Sequence, residues 1–123
     1  MIKPHPLPRL RVQILFERSF TQHEFSRLSR GFVAESMEDR WHVFFNDPWV
    51  TFVRSWSGFC IYKVRIEKNG VNYRAAKVLV NRDCRQYGGN DTREEAKLLS
   101  LLIEGMLLGH TPGPSTIRVS RRR

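Results

Sequence analysis

The first two thirds of the chain are dominated by short runs in which apolar residues recur at every second position or cluster with aromatic residues. Between Leu10 and Phe16 the apolar positions alternate with Arg11 and Gln13, which is the pattern of a half-buried strand. Four further aromatic and β-branched runs follow within residues 41–82. The pattern predicts a short first strand and a four-stranded antiparallel β-meander.

Turn residues divide this meander into its strands. We expect strands at residues 41–45, 49–56, 59–67 and 71–81. Asn46-Asp47-Pro48 and Ser57-Gly58 mark the first two turns, and Asn69-Gly70 is a strong hairpin signal because both residues tolerate positive φ. Arg74 and Lys77 fall on opposite faces of the last strand, which predicts an edge position or a β-bulge beside them.

Two helices are expected on either side of the meander. Thr21 and Glu24 have capping-box spacing, which predicts a helix over residues 22–30 that ends at Gly31. Asp91 is a suitable N-cap for a second helix, which Gly109 would close. The apolar positions of this second helix recur at spacings of three and four and include Ala96, Leu99, Leu102, Ile103 and Met106.

The order of these elements predicts an α+β fold. We expect an antiparallel β-meander of four to five strands with a short N-terminal helix and a long C-terminal helix packed on the sheet. A chain of 123 residues suits one hydrophobic core. The predicted organisation is a proline-rich arm at residues 1–9, a single domain at 10–110 and a basic flexible tail at 111–123.

The chain is strongly basic, with a net charge of +9 and sixteen arginines against five lysines. Arginine suits bidentate contacts to phosphate or carboxylate, so the balance favours anionic partners. Four of the arginines lie in the last six residues, at Arg118, Arg121, Arg122 and Arg123. These four are the candidate nucleic-acid contacts of the tail.

Other composition signals narrow the class of protein. No apolar run approaches the length of a membrane span, and the first residues lack a secretory pattern, so we expect a cytoplasmic protein without membrane contact. Cys60 in a predicted strand and Cys84 in a loop lack metal-site spacing, and the histidines show no ligand spacing either. We therefore expect free thiols, no metal site and no cofactor.

Three stretches together have the order and spacing of a known pattern. They are residues 36–41 (Ser-Met-Glu-Asp-Arg-Trp), residues 54–62 (Arg-Ser-Trp-Ser-Gly-Phe-Cys-Ile-Tyr) and residues 80–83 (Val-Asn-Arg-Asp) before the leucine-rich helix. This pattern resembles a small bacterial domain family often labelled as ADP-ribosylglycohydrolase/crystallin J1-associated. The resemblance covers roughly residues 30–110. It implies a link to ADP-ribose chemistry, whereas glycohydrolases of that type are larger all-helical enzymes with two magnesium ions.

The hairpin corner from Arg54 to Gly58 is the main candidate binding site. An arginine fork (Arg54), two hydroxyls (Ser55 and Ser57), an aromatic face (Trp56) and a permissive glycine (Gly58) could hold a phosphate and stack a base. In the alternative interpretation Trp56 is core, the two serines satisfy turn amides and Arg54 pairs with an acidic neighbour. Arg82 is predicted to join this corner around the ligand.

Two further groups carry candidate chemistry. Glu38 and Asp39 could act as an acid and base pair, although Ser36 and Asp39 also have capping spacing. Cys84 lies between Arg82 and Arg85, which would sharpen a thiol's reactivity, but no base or oxyanion partner is identifiable.

The aromatic stripe of the meander has two interpretations. Its residues are Trp41, Phe44, Phe45, Trp49, Phe52 and Trp56. Alternating aromatics on a helix-covered sheet form core, and exposed ones can stack bases as in single-strand binders. Core is the favoured interpretation.

Three functional hypotheses follow. The first is a non-catalytic binding or accessory module for an anionic, nucleotide-like ligand at the Arg54 corner. The second is a nucleic-acid- or protein-binding module that uses the arginine-rich tail and the sheet surface. The third is a small enzyme acting on an ADP-ribose-like substrate through Glu38 or Asp39. Unpaired sheet edges would also permit a homo-dimer.

Overall fold

A six-stranded antiparallel sheet and two helical segments form the part of the chain that this computed structural model describes, residues 4–36 and 38–109. The strands are β1 (Arg11–Ile14), β2 (Ser19–Phe20), β3 (Trp41–Asn46), β4 (Trp49–Arg54), β5 (Cys60–Asn69) and β6 (Asn72–Asn81). The helices are α1 (Gln22–Leu28) and α2 (Thr92–Leu101), and a π-helix (Leu102–Leu107) continues α2 directly. The predicted α+β class with an antiparallel sheet is confirmed.

The strand order is β1-β6-β5-β4-β3, so the predicted meander runs through four sequential neighbours. β1 pairs with β6 at one edge, and β2 pairs with β6 as well. The sheet has six strands where four to five were expected, because Ser19 and Phe20 pair with Arg74 and Tyr73. A two-residue strand is too short to leave a periodic pattern in a sequence.

Local turn chemistry fixes the register of the meander. Asn46 pairs with Trp49 across a two-residue loop, and Asn69 pairs with Asn72 across a hairpin in which Gly70 has φ of 68°. β4 ends at Arg54, two residues before the predicted end. The predicted irregularity in the last strand is present as a register shift opposite Arg65/Ile66.

The C-terminal helical region does not match the single long α-helix expected. α2 ends at Leu101 and the next six residues form the π-helix, in which the amide of Leu108 donates to the carbonyl of Ile103 at 2.9 Å. Such five-residue hydrogen bonds bring residues i and i+5 to the same side. Ile103 and Leu108, which this hydrogen bond joins, are both buried.

One face of the sheet, together with the helices, forms the main core. Its strand residues include Val43, Val50, Phe52, Tyr62, Val64, Val78 and Val80. Helix residues Leu28, Leu99 and Ile103 pack in the same cluster. This arrangement makes the helices one layer and the sheet the other.

The opposite face of the sheet carries the alternate residues of the same strands, and we call it the open face. In β4 and β5 these are Trp49, Thr51, Lys63 and Arg65, and in β6 they are Lys77 and Leu79. Leu7 of the arm covers one end of this face, where it packs with buried Val53 and Cys60. The described part of the arm, residues 4–9, therefore packs on the sheet through Leu7.

Gly31 is required by a close backbone approach at the β3 edge. Its φ is 68°, and a Cβ at this position would lie 2.3 Å from the carbonyl oxygen of Val43. The approach allows Phe32 and Val43 to exchange hydrogen bonds of 2.8 and 2.6 Å. The outer edge of β3 is partly paired by this bridge, which narrows the edge available for self-association.

No described helix combines the length and apolar character needed to cross a membrane.

Candidate ligand-binding site

The corner between β4 and β5 is a closed turn held by backbone hydrogen bonds. The amide of Gly58 donates to the carbonyl of Arg54 at 2.8 Å, and the amide of Arg54 donates to the carbonyl of Phe59 at 2.9 Å. Gly58 adopts φ of 80°, a conformation that side-chain-bearing residues rarely adopt. The glycine is therefore explained by the turn itself.

His5 of the N-terminal arm also contacts this corner. The amide of His5 donates to the carbonyl of Gly58 at 2.8 Å, and the His5 and Phe59 rings lie 5.2 Å apart. The corner is thus held from both ends of its own turn and by a distant segment. Side chains projecting from it start from a fixed backbone.

The two serines of the corner have structural partners. Ser55 donates its hydroxyl to the carbonyl of Asp39 at 2.7 Å, and its amide donates to the carbonyl of Arg40 at 2.9 Å. The hydroxyl of Ser57 accepts the amide of Phe59 at 3.2 Å. The alternative interpretation of these residues, as turn-stabilising groups, agrees with these contacts.

Arg54 and Trp56 differ from that alternative interpretation. The Arg54 guanidinium lies over the ring of Trp41, 5.2 Å from its centroid, and among the described residues it makes no ion pair with Glu38 or Asp39. Trp56 is 66% exposed, whereas Trp41 is 7% exposed. A cation–π contact orients the arginine, while the tryptophan is exposed at the surface.

A cavity of about 450 Å³ lies beside these two side chains. Glu38, Arg40, Arg54 and Trp56 line it, and we call this site the Arg-Trp cleft. Its volume is within the usual range of small-molecule sites. Two guanidinium groups against one carboxylate give the lining a net positive charge, which suits an anionic ligand.

Arg40 lines the Arg-Trp cleft but was not among the candidate binding residues predicted from the sequence. Trp41 pairs with Arg54 in the β3–β4 register, so Arg40 lies next to Ser55. The signal was available in the sequence. Counting back from the Asp47-Pro48 turn sets this register and brings Arg40 to the corner.

A second cavity, of about 280 Å³, is also lined by Arg54 and Trp56. Its other lining residues are Ser57, Phe59, Ile61, Gln86 and Tyr87. The two residues therefore separate two adjacent concave surfaces. A ligand larger than a mononucleotide could occupy both.

The adjacent carboxylates Glu38 and Asp39 have separate roles. Asp39 accepts the amides of Glu35 and Ser36 at 3.0 and 3.3 Å, which closes the turn before β3. Glu38 lines the Arg-Trp cleft. The capping interpretation of Asp39 agrees with the structure, and only Glu38 of the two faces the candidate ligand site.

Arg82 lies in a different cluster, between β6 and α2. Its guanidinium donates two hydrogen bonds, of 2.6 and 2.8 Å, to Glu95, and the Tyr87 hydroxyl donates to the same carboxylate at 2.7 Å. The hydrogen-bonded Glu95 carboxylate raises the pKa of Arg82, and burial raises the pKa of Tyr87. Arg82 does not line either cavity, but Tyr87 connects its cluster to the second one.

The residues around Cys84 make structural hydrogen bonds in the loop after β6. The Asn81 side chain donates to the carbonyl of Cys60 at 2.8 Å and accepts the amide of Asp83 at 2.7 Å. Arg85 donates two hydrogen bonds to Asp83, and this arginine lowers the pKa of the carboxyl group. Cys84 is exposed beside this pair, and both cysteines are free thiols.

The remaining candidates from the sequence are a metal site, the C-terminal arginines and the aromatic stripe. No group of three or more histidine, cysteine, aspartate or glutamate side chains with metal-site geometry occurs within residues 4–36 and 38–109. Arg118, Arg121, Arg122 and Arg123 lie outside the described residues, as does the predicted flexible tail. Of the aromatic stripe, Trp41 and Phe52 are core, Phe44 and Trp49 lie half-buried on the open face, and Trp56 is exposed.

No family model, curated protein or solved structure matches this chain. The resemblance to the ADP-ribosylglycohydrolase-associated family stays a prediction.

Proposed function

We propose that this chain is a non-catalytic binding module for an anionic, nucleotide-like ligand held in the Arg-Trp cleft. The observation that carries the proposal is the pairing of an exposed tryptophan, Trp56, with the guanidinium groups of Arg40 and Arg54 in one cavity. Aromatic rings stack on bases, and arginine forks bind phosphate oxygens. A nucleotide carries both a base and a phosphate, and its size is similar to that of the cleft.

The orientation of Arg54 supports a phosphate-binding role. Its guanidinium is placed over Trp41, whose own ring packs 5.9 Å from Tyr62 in the core. A guanidinium held over a buried ring by a cation–π contact has less side-chain freedom to lose when it binds an anion. Arg54 is therefore preorganised, and its donors are not committed to a carboxylate within the described residues.

Glu38 supports a ligand with hydroxyl groups as well as phosphate. A carboxylate is an acceptor only, so beside two arginines it suits sugar hydroxyl donors and disfavours a purely polyanionic ligand. The second cavity behind Trp56 adds room for a second sugar or phosphate. These features favour ADP-ribose or a related dinucleotide fragment, in line with the family resemblance.

Binding without catalysis is proposed because the carboxylate pair is divided. Asp39 is occupied by two backbone amides, which leaves Glu38 as the carboxylate facing the cleft. Acid–base hydrolysis of a glycosidic bond ordinarily uses two carboxyl groups flanking the bond.

Calorimetric titration with ADP-ribose, AMP and ribose 5-phosphate tests this proposal. We expect ADP-ribose to bind most tightly, because its two phosphates can engage both arginines. Arg54→Ala should weaken binding roughly tenfold or more, as expected for a lost charged hydrogen bond. Trp56→Ala should weaken AMP binding about fivefold or more and leave ribose 5-phosphate nearly unchanged.

Arg93→Ala is the matched control, since Arg93 is an exposed arginine at the start of α2 and lines neither cavity. It should bind like the parent chain. Equal affinities in Arg54→Ala and Arg93→Ala, or no heat with any of the three ligands, would overturn the proposal. Thermal unfolding of each variant separates lost binding from lost folding.

A further inference from the structure

The open face of the sheet has a cationic character that the Arg-Trp cleft does not use. Lys63 and Arg65 in β5 and Lys77 in β6 all project from it, and Arg65 is directly opposite Lys77. Arg11 of β1 belongs to the same face, because it is two residues from Gln13, which pairs with Leu79 of the open face. Four cations therefore lie on three neighbouring strands.

Few acidic side chains balance these cations. Glu67 pairs with Arg65 at 3.0 Å and with Arg74 at 3.8 Å. Lys63 and Lys77 have no ion pair within residues 4–36 and 38–109. The face keeps a net positive charge after its pairs are counted.

Aromatic side chains lie among the cations. Lys63 Nζ is 4.8 Å from the centroid of Trp49 and the Arg65 guanidinium is 5.7 Å from it, so the tryptophan positions both charges. Thr51 lies between Phe44 and Lys63 in one cross-strand row. Phe44 is half-buried and packs against the cluster of Leu7, Val53 and Cys60 at one end of this face.

A groove extends this surface past the edge of the sheet. It has a volume of about 490 Å³, and Phe44, Thr51 and Arg30 are among its lining residues. Residues two apart on a strand are separated by roughly 7 Å and neighbouring strands by about 4.8 Å. The charges are therefore spread over an extended surface and are not concentrated at one position. The open face therefore offers a cationic, aromatic track that crosses the strands.

We infer that the open face is a second binding surface, whose partner is the backbone of single-stranded nucleic acid. Cations along a shallow track with interleaved aromatic rings are what an unpaired strand requires, since phosphates bind the cations and any base can stack. A second copy of this chain is disfavoured as occupant, because it would bring another cationic face into contact. The arginine-rich C-terminal residues are disfavoured for the same reason.

The chain offers a closely matched pair of variants for the test. Lys63→Ala with Lys77→Ala removes two charges from the open face. Lys68→Ala with Lys97→Ala removes two charges elsewhere, because Lys68 pairs with Tyr73, whose ring stacks on Phe25 of α1, and Lys97 belongs to α2. Both double variants have the same net charge.

Fluorescence anisotropy of a labelled oligothymidylate of about twelve nucleotides should be followed across salt concentrations. Affinity is expected to fall with salt, and the slope of log affinity against log salt should decrease by about 1.4 in the Lys63/Lys77 variant, about 0.7 for each lost phosphate contact. The Lys68/Lys97 variant should keep the slope of the parent chain. Equal slopes in the two double variants would overturn the assignment to the open face.

Two further arms identify the partner and the site. Phe44→Leu should weaken oligothymidylate binding about fivefold or more but leave inorganic polyphosphate binding unchanged, because only the former has bases to stack. An unchanged oligothymidylate affinity in this variant would overturn the nucleic-acid assignment in favour of general polyanion binding. Arg54→Ala should leave oligothymidylate affinity unchanged. If this variant loses oligothymidylate binding, the strand binds in the Arg-Trp cleft, and the proposal of a second binding surface is overturned.

Discussion

At the scale of single residues, position relative to the sheet decides what each aromatic or sulfur-containing side chain does. Trp41 faces the helices and is buried, whereas Trp56 lies beyond the end of β4 and is exposed. Cys60 is fully buried under Leu7, and Cys84 is exposed in the loop after β6. The same residue type is therefore buried at one position of this domain and exposed at another.

Burial of Cys60 leads to a prediction about alkaline pH. Burial raises the pKa of this thiol to about 12, and the nearby cations Lys63 and Arg11 only partly oppose the effect. Above about pH 9 the unfolded chain loses the proton while the folded chain keeps it, so the free energy of unfolding should fall as pH rises towards 12. Tyr62, whose pKa burial raises to about 12, should add to the loss at the upper end.

Urea unfolding at about pH 8 and about pH 10.5 measures this loss. Cys60→Ala should show a smaller difference between the two pH values than the parent chain, whatever its absolute stability. Cys84→Ala, which removes the exposed thiol, should keep the contribution of Cys60 to the difference. If Cys60→Ala loses as much stability as the parent between the two pH values, burial of this thiol does not govern the alkaline limb.

At the scale of elements, a polar cluster joins β6 and the following loop to α2. Arg82 and Tyr87 both bind Glu95, whose side chain is 4% exposed although it lies in the first turns of the helix. A buried carboxylate is tolerated only when it is paired and hydrogen-bonded. The cluster thus fixes how α2 sits on the sheet.

Arg82→Ala should therefore destabilise the chain by about 3 kcal/mol, because Glu95 would remain buried without its cation. Combining it with Glu95→Ala should cost less than the sum of the two single substitutions. Urea unfolding gives the free energies, with Arg93→Ala as the control, because Arg93 is exposed on α2 and makes no ion pair within residues 4–36 and 38–109. ADP-ribose affinity in folded Arg82→Ala should match the parent; a tenfold loss without destabilisation would make Arg82 a ligand contact.

At the scale of the whole molecule, features encoded by neighbouring residues could be predicted from the sequence and features joining distant segments could not. The hairpin at Asn69-Gly70 and the β3–β4 turn follow from local turn chemistry, and the meander follows from them. The docking of Leu7 on Cys60 and the pairing of Arg82 with Glu95 depend on where remote elements meet. No periodic pattern records such contacts.

The residues of the candidate site also differ in how far the sequence could predict them. Arg54 and Trp56 were found because the corner is a local motif, and Arg40 could have been found from the strand register. The π-helix was missed because its wide apolar stripe also fits an α-helix. The sheet surface was among the nucleic-acid hypotheses, but Lys63 and Arg65 were not singled out, because their alternation with buried neighbours gives one face its charge only once the helices are known to cover the other side.

The two proposed binding surfaces lie on opposite sides of one sheet, so they should act independently. Arg54 contacts Trp41 of the helix-covered core, whereas Lys63 and Lys77 project from the open face. In a thermodynamic cycle, Arg54→Ala should reduce ADP-ribose affinity by the same factor in the parent chain and in the Lys63/Lys77 variant. Saturating oligothymidylate should likewise change ADP-ribose affinity by less than about twofold in calorimetric titration. A larger change would mean that the two surfaces are coupled, through shared residues, through repulsion between the two anionic ligands or through a movement of the β4–β5 corner between two states.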